Sequence, residues 1–123
     1  PTEYGFIEGT LAEDGDPLDV LVIVDEPTFP GCRIVCRAIG LFPMSDEKGP
    51  DDKILALPTW DRQRTWEDVI DVPDLFLAEI SHFFDMYKDL EEGKHTKVGD
   101  WAGRLRAESV IDEARARHRA AAS

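Results

Sequence analysis

The spacing of hydrophobic positions changes character near the middle of the chain. Val20 to Val24 reads VLVIV, a short β-branched run with no polar alternation. Such a run suits a strand covered on both faces. Pro30-Gly31 is a turn signal. Ile34 to Phe42 predicts a second strand, with Gly40 marking a bulge. Ile54 to Leu57 predicts a third, ended by Pro58. The charged stretch from Pro43 to Lys53, punctuated by Gly and Pro, predicts a loop. Further on, Phe76, Ile80, Phe83, Phe84 and Tyr87 recur at the interval that lines one face of a helix. Asp71 or Asp74 can cap it, Pro73 is tolerated in its first turn, and Gly93 can end it. A second helix is expected from about Ala102 to Ala121, with Ala107, Val110, Ile111 and Ala114 on one stripe. Strands first and helices after is the α+β pattern, mainly β here.

Composition narrows the function classes. The 123 residues are 42% hydrophobic and 33% charged, enough for one domain with a core. With 14 Lys and Arg against 26 Asp and Glu, the net charge is −12. That field disfavours nucleic acid and anionic membranes, which attract positive surfaces. No apolar run approaches the roughly 20 residues that span a bilayer, and no signal peptide is visible, so a cytoplasmic location is expected. The chain starts at Pro1 without Met, which suggests a trimmed product. Residues 1–32 hold no Lys or Arg, whereas Arg104, Arg106, Arg115, Arg117 and Arg119 gather near the other end. Cys32 and Cys36 both lie in a segment that reads as a strand, which places them about 13 Å apart, beyond the roughly 7 Å that a disulfide tolerates. They have no neighbouring ligand for zinc and read as free thiols.

The candidate chemistry begins in Glu13-Asp14-Gly15-Asp16-Pro17-Leu18-Asp19, directly before the buried strand. Carboxylates held about 6 Å apart repel by about 3 kcal/mol per pair at an effective dielectric of about 20. No Lys or Arg is local to relieve this, and a hard divalent cation would. Splayed acids in water would repel far less, so a solvated turn remains the alternative. An EF-hand calcium loop does not fit, because Asp19 and Asp25 stand where its Gly and Glu belong and a strand follows. A rigid DGDP turn suits small, octahedral Mg²⁺ better. A second acidic group, Asp46, Glu47, Asp51 and Asp52, lies beside Lys48 and Lys53. It is either a solvated loop or a partner for the first cluster, since paired cation sites need carboxylates from separate segments. Tyr87 and Lys88 follow at the end of the aromatic helix, where the ring can pack and the ammonium can meet a phosphate or the helix terminus. His82, His95 and His118 form no constellation, and Trp60, Trp66 and Trp101 read as packing residues. There is no Gly-rich phosphate loop and no serine nucleophile elbow.

Together EDGDPLDVLV, MSDEKGPDDKILALP and HFFDMYKDLEEGK, preceded by YGFIEGTL, resemble the soluble Mg²⁺-dependent inorganic pyrophosphatases of the bacterial branch, in order and spacing. The likeness runs from Pro1 to about Trp101. It implies an OB-like five-stranded β-barrel, expected to be incomplete here, with two C-terminal helices packed on it. It implies a single domain over 1–123 that hydrolyses inorganic diphosphate to two phosphates with several Mg²⁺ ions. By position, Asp14, Asp19 and Asp51 would hold the tightest metal pair, and Asp46 would join Asp51 on a further ion arriving with substrate. Asp16 would be the general base or orient the attacking water, with Asp51 the second choice. Lys53, Tyr87, Lys88 and Tyr4 would hold phosphate oxygens. Relatives form hexamers, so a homo-oligomer is expected. They also carry a segment before the position of Pro1, with barrel strands and Glu, Lys and Arg groups, so this chain alone is expected to be impaired. The competing readings are a non-catalytic OB-like module that binds a cation or a partner protein, and, least favoured, a calcium buffer.

Overall fold

The structure is a computed structural model that describes residues 2–90, 97–98 and 100–123, with backbone only for 87–90 and 97–98. Among these residues a five-stranded mixed sheet runs in the order β1-β2-β6-β3-β8. Its strands are β1 (Thr2–Phe6), β2 (Asp19–Ile23), β3 (Cys36–Phe42), β6 (Lys53–Pro58) and β8 (Ala102–Gly103). A smaller sheet joins β4 (Met44–Asp46), β5 (Gly49–Pro50) and β7 (Lys97–Val98). The helices are α1 (Asp74–Leu90) and α2 (Arg104–Ala122).

The VLVIV run is buried from Val20 to Val24, as a strand covered on both faces requires. Because side chains alternate across a strand, the sheet carries two cores. Leu21, Ile23, Ile39, Phe42, Leu55 and Leu57 meet Ile80 and Phe84 of α1. Val20, Val22, Leu41, Ile54 and Ala56 meet Ala107 and Ala114 of α2, with Val110 and Ile111 at their margin. The two helices thus cover opposite faces of one sheet. The outer strands β1 and β8 do not pair with each other among the described residues, so the sheet is open and not a closed barrel.

Several sequence expectations change in detail. Cys32 lies in a turn and β3 begins only at Cys36, because the Pro30-Gly31 turn carries the chain on before pairing starts. Both cysteines are free. The 43–53 loop contains the β4–β5 hairpin, whose strands are too short to show an alternating pattern. Strand β1 alternates, but in reverse of polarity: Tyr4 and Phe6 are exposed while Glu3 and Gly5 are half-buried, so its hydrophobic pattern does not mark a core-facing strand. Asp71 caps neither helix; it closes a 3₁₀ turn over Val69–Asp71 by accepting from the backbone of Glu67 and Asp68. Trp66 and Trp101 pack against the first core, but Trp60 is exposed, as is Phe83 on α1. Gly93 lies outside the described residues.

Gly40 does mark a bulge, where the β3–β6 register shifts. A Cβ there would stand 3.0 Å from Val69 Cβ and 3.2 Å from the Ala102 carbonyl oxygen of the neighbouring strand. Gly40→Ala is expected to destabilise the fold by about 1–3 kcal/mol, the ordinary cost of overpacking. Urea unfolding measures it, and a variant as stable as the parent would show that β8 yields freely.

Candidate active site

The acidic turn between β1 and β2 is held from both sides. Ile7 N–H donates to Leu18 O at 2.9 Å, which closes the long excursion between the strands. Inside it, the buried Thr10 hydroxyl donates to Ile7 O at 2.5 Å and accepts from Leu18 N at 3.0 Å. Leu11 is anchored to α2, through its N–H to Ala114 O at 3.0 Å and its carbonyl to Arg117 at 2.6 Å. The tip is a tight loop in which Ala12 N donates to Asp16 O at 2.7 Å and Asp16 N to Asp14 Oδ1 at 3.0 Å. Gly15 has φ of +91° there, a backbone region closed to most side chains. Thr10 and Arg117 carry no sequence signal, because their role depends on partners far along the chain.

Strands β2 and β6 run parallel with Asp19 opposite Lys53, and this register brings the two acidic segments together. Lys53 Nζ donates to Asp19 Oδ2 at 2.6 Å and to Asp51 Oδ1 at 2.8 Å. Lys53 is only 4% exposed. Burial alone would push its ammonium down, but the Asp19 and Asp51 carboxylates outweigh that and hold it above the ordinary lysine range. Burial raises the Asp51 carboxyl; Lys53 opposes the shift, and the charges of Asp19 and Asp14 add to it. Asp14, Asp19 and Asp51 therefore share one electrostatic neighbourhood. Lys53 Nζ also lies 5.6 Å from the ring centroid of Tyr4 on β1. Burial pushes the Tyr4 hydroxyl up to about 12, with Lys53 pulling the other way.

Other expected residues lie further out. Asp16 is exposed at the tip of the same turn. Asp46 ends β4 opposite Gly49, where its carboxylate accepts from Lys48 N at 2.8 Å, and no contact joins it to Asp51 among the described residues. The side chains of Tyr87 and Lys88 lie outside the described residues. The structure adds Asp52, a half-buried acid whose carboxylate accepts from Met44 N at 3.3 Å while Asp51 N donates to Met44 O at 2.8 Å. This double clasp fixes the base of the β4–β5 hairpin and with it Asp51. The DDK sequence gave no means of telling which of its two acids faces the first cluster.

Among the described residues no three acidic, histidine or cysteine side chains close into a ready cation cage. Lys53 stands between Asp19 and Asp51 instead. The set still offers the donor types that hard cations and phosphates take: carboxylate oxygens from two segments, a buried ammonium and a phenol. A cavity of about 520 Å³ lies elsewhere, between β3 and α2, lined by Arg37, Glu67, Arg104 and Glu108 among others.

Comparison with known proteins identifies the family. The family model for inorganic pyrophosphatase matches residues 1–119. An inorganic pyrophosphatase of Streptomyces coelicolor is 58% identical over 113 residues, which span 91% of this chain and 69% of that protein. One of Corynebacterium efficiens is 46% identical over 120 residues, spanning 98% and 76%. The crystal structure of inorganic pyrophosphatase from Thermus thermophilus superposes with a TM-score of 0.88 at 44% identity, covering 94% of this chain and 68% of that one. The Helicobacter pylori inorganic pyrophosphatase gives 0.90 at 36% identity, covering 97% and 72%. By sequence and by fold, the chain belongs to the inorganic pyrophosphatase family.

Proposed function

We propose that this protein hydrolyses inorganic diphosphate to two phosphates, with Mg²⁺ as its metal. The observation that carries this reading is the meeting of the DGDPLD turn and the Asp51-Asp52-Lys53 segment across β2 and β6. The donor set fits the ion, since it offers hard oxygens without sulfur or imidazole, and Asp51 carries a desolvated charge beside two other acids. Asp14, Asp19 and Asp51 would hold Mg²⁺, and Asp46 would join Asp51 on a further ion that comes with substrate. Bound there, Mg²⁺ would acidify water and offset the charge of both the acids and the diphosphate.

The chain's own groups divide the remaining work. Asp16, exposed on the same turn, takes the proton of the attacking water as its oxygen bonds to phosphorus, or orients that water; Asp51 is the second candidate. The bridging P–O bond breaks, and the departing phosphate keeps its electron pair. The Lys53 ammonium and the Tyr4 hydroxyl donate to phosphate oxygens, with Tyr87 and Lys88 assigned the same role. Nothing observed favours a non-catalytic binding module. The same reading makes the protein cytoplasmic and homo-oligomeric, a hexamer by resemblance. Among the described residues no helix is long and apolar enough to cross a membrane.

The test is phosphate release from diphosphate. We expect turnover with Mg²⁺, loss of it on chelation, and little release from a phosphate monoester. Monoester hydrolysis equal to that of diphosphate, or turnover indifferent to chelation, would refute the assignment.

A further inference from the structure

Two cations claim the same carboxylates. Lys53 Nζ lies 2.6 Å from Asp19 Oδ2 and 2.8 Å from Asp51 Oδ1. The pair is built by backbone register, with Asp19 directly opposite Lys53. Lys53 is also the one charged residue in the buried core among the described residues. We propose that Lys53 is an internal counter-cation that a divalent metal must displace from Asp19 and Asp51, so that metal loading frees the ammonium for the anionic substrate. This rests on Asp14, Asp19 and Asp51 being the metal ligands.

A carboxylate oxygen already in contact with an ammonium cannot also meet Mg²⁺ at about 2.0–2.1 Å unless one cation moves. Like charges a few ångströms apart in a buried site are poorly screened by salt. The lysine has somewhere to go: its four-carbon stem is flexible, and the Tyr4 ring already lies 5.6 Å from Nζ, on a strand next to β2. A cation over that face keeps part of its stabilisation.

The experiment titrates Mg²⁺ alone, without diphosphate, into the wild-type chain, Lys53→Met and Lys53→Arg by calorimetry. Removing the competing charge is expected to tighten Mg²⁺ binding by about tenfold or more in Lys53→Met, while Lys53→Arg stays within about threefold of wild type. Equal or weaker binding by Lys53→Met overturns the proposal while leaving the ligand assignment intact. A wild-type chain that takes up no Mg²⁺ overturns both. Amine labelling of the wild type, read by mass spectrometry, decides the matter even where the variant fails to fold. Lys53 should be protected without Mg²⁺ and labelled with it, and labelling unaltered by Mg²⁺ would overturn the proposal.

Discussion

Asp16→Asn is expected to lower kcat for diphosphate hydrolysis by about 10²–10⁴-fold, the usual worth of a positioned general base. Binding of Mg²⁺ should largely survive. The substitution is nearly isosteric, and the turn relies on the backbone of Asp16: its N–H reaches Asp14 and its carbonyl receives Ala12 N–H. The fold around Asp14 and Asp19 should therefore persist while the proton acceptor is lost. Steady-state phosphate release over a range of pH, beside calorimetric Mg²⁺ titration, separates the two effects. An unchanged kcat would move the proton role to Asp51. A parallel collapse of Mg²⁺ affinity would instead make Asp16 a ligand.

The largest expected loss of stability comes from Phe42→Ala, about 3–5 kcal/mol. Phe42 is fully buried, with ring centroids 5.4 Å from Phe84 on α1 and 4.8 Å from Trp101 just before β8. It joins the sheet, the helix and the C-terminal segment at one point, so the cavity left behind cannot collapse without moving two elements. The damage should reach the site, because Phe42 pairs with Lys53 in the β3–β6 register. Urea denaturation gives the number. A cost below about 1 kcal/mol would mean that this aromatic cluster repacks around an alanine.

The buried strands and both helices could be read from the sequence because burial leaves a period. VLVIV is apolar without alternation, and Ala107 and Ala114 repeat at helical spacing and are buried. The open sheet agrees with the incomplete barrel that the family resemblance implies. Strand β1 and the β4–β5 hairpin could not be read, since short strands with polar edges are specified by their partners rather than by their own pattern. At the site, the acids of the DGDPLD turn and Lys53 were legible as residue types, because three carboxylates without a local base pose an electrostatic problem. What stayed hidden was the solution: the parallel pairing of Asp19 with Lys53, the Thr10 clasp and the Asp52–Met44 contact all join positions distant in sequence. The family resemblance assigns Lys53 to phosphate, whereas the structure gives it two carboxylate partners first.

Asp19 and Asp51, from segments far apart in the chain, are expected to hold one and the same cation. A double-mutant cycle on Mg²⁺ affinity tests that directly, with Asp19→Asn, Asp51→Asn and the double variant titrated without substrate. Each single change is expected to weaken binding by about tenfold or more, and the double change to cost clearly less than the product of the two, as groups sharing a partner do. Wild-type affinity in both single variants would contradict the shared site.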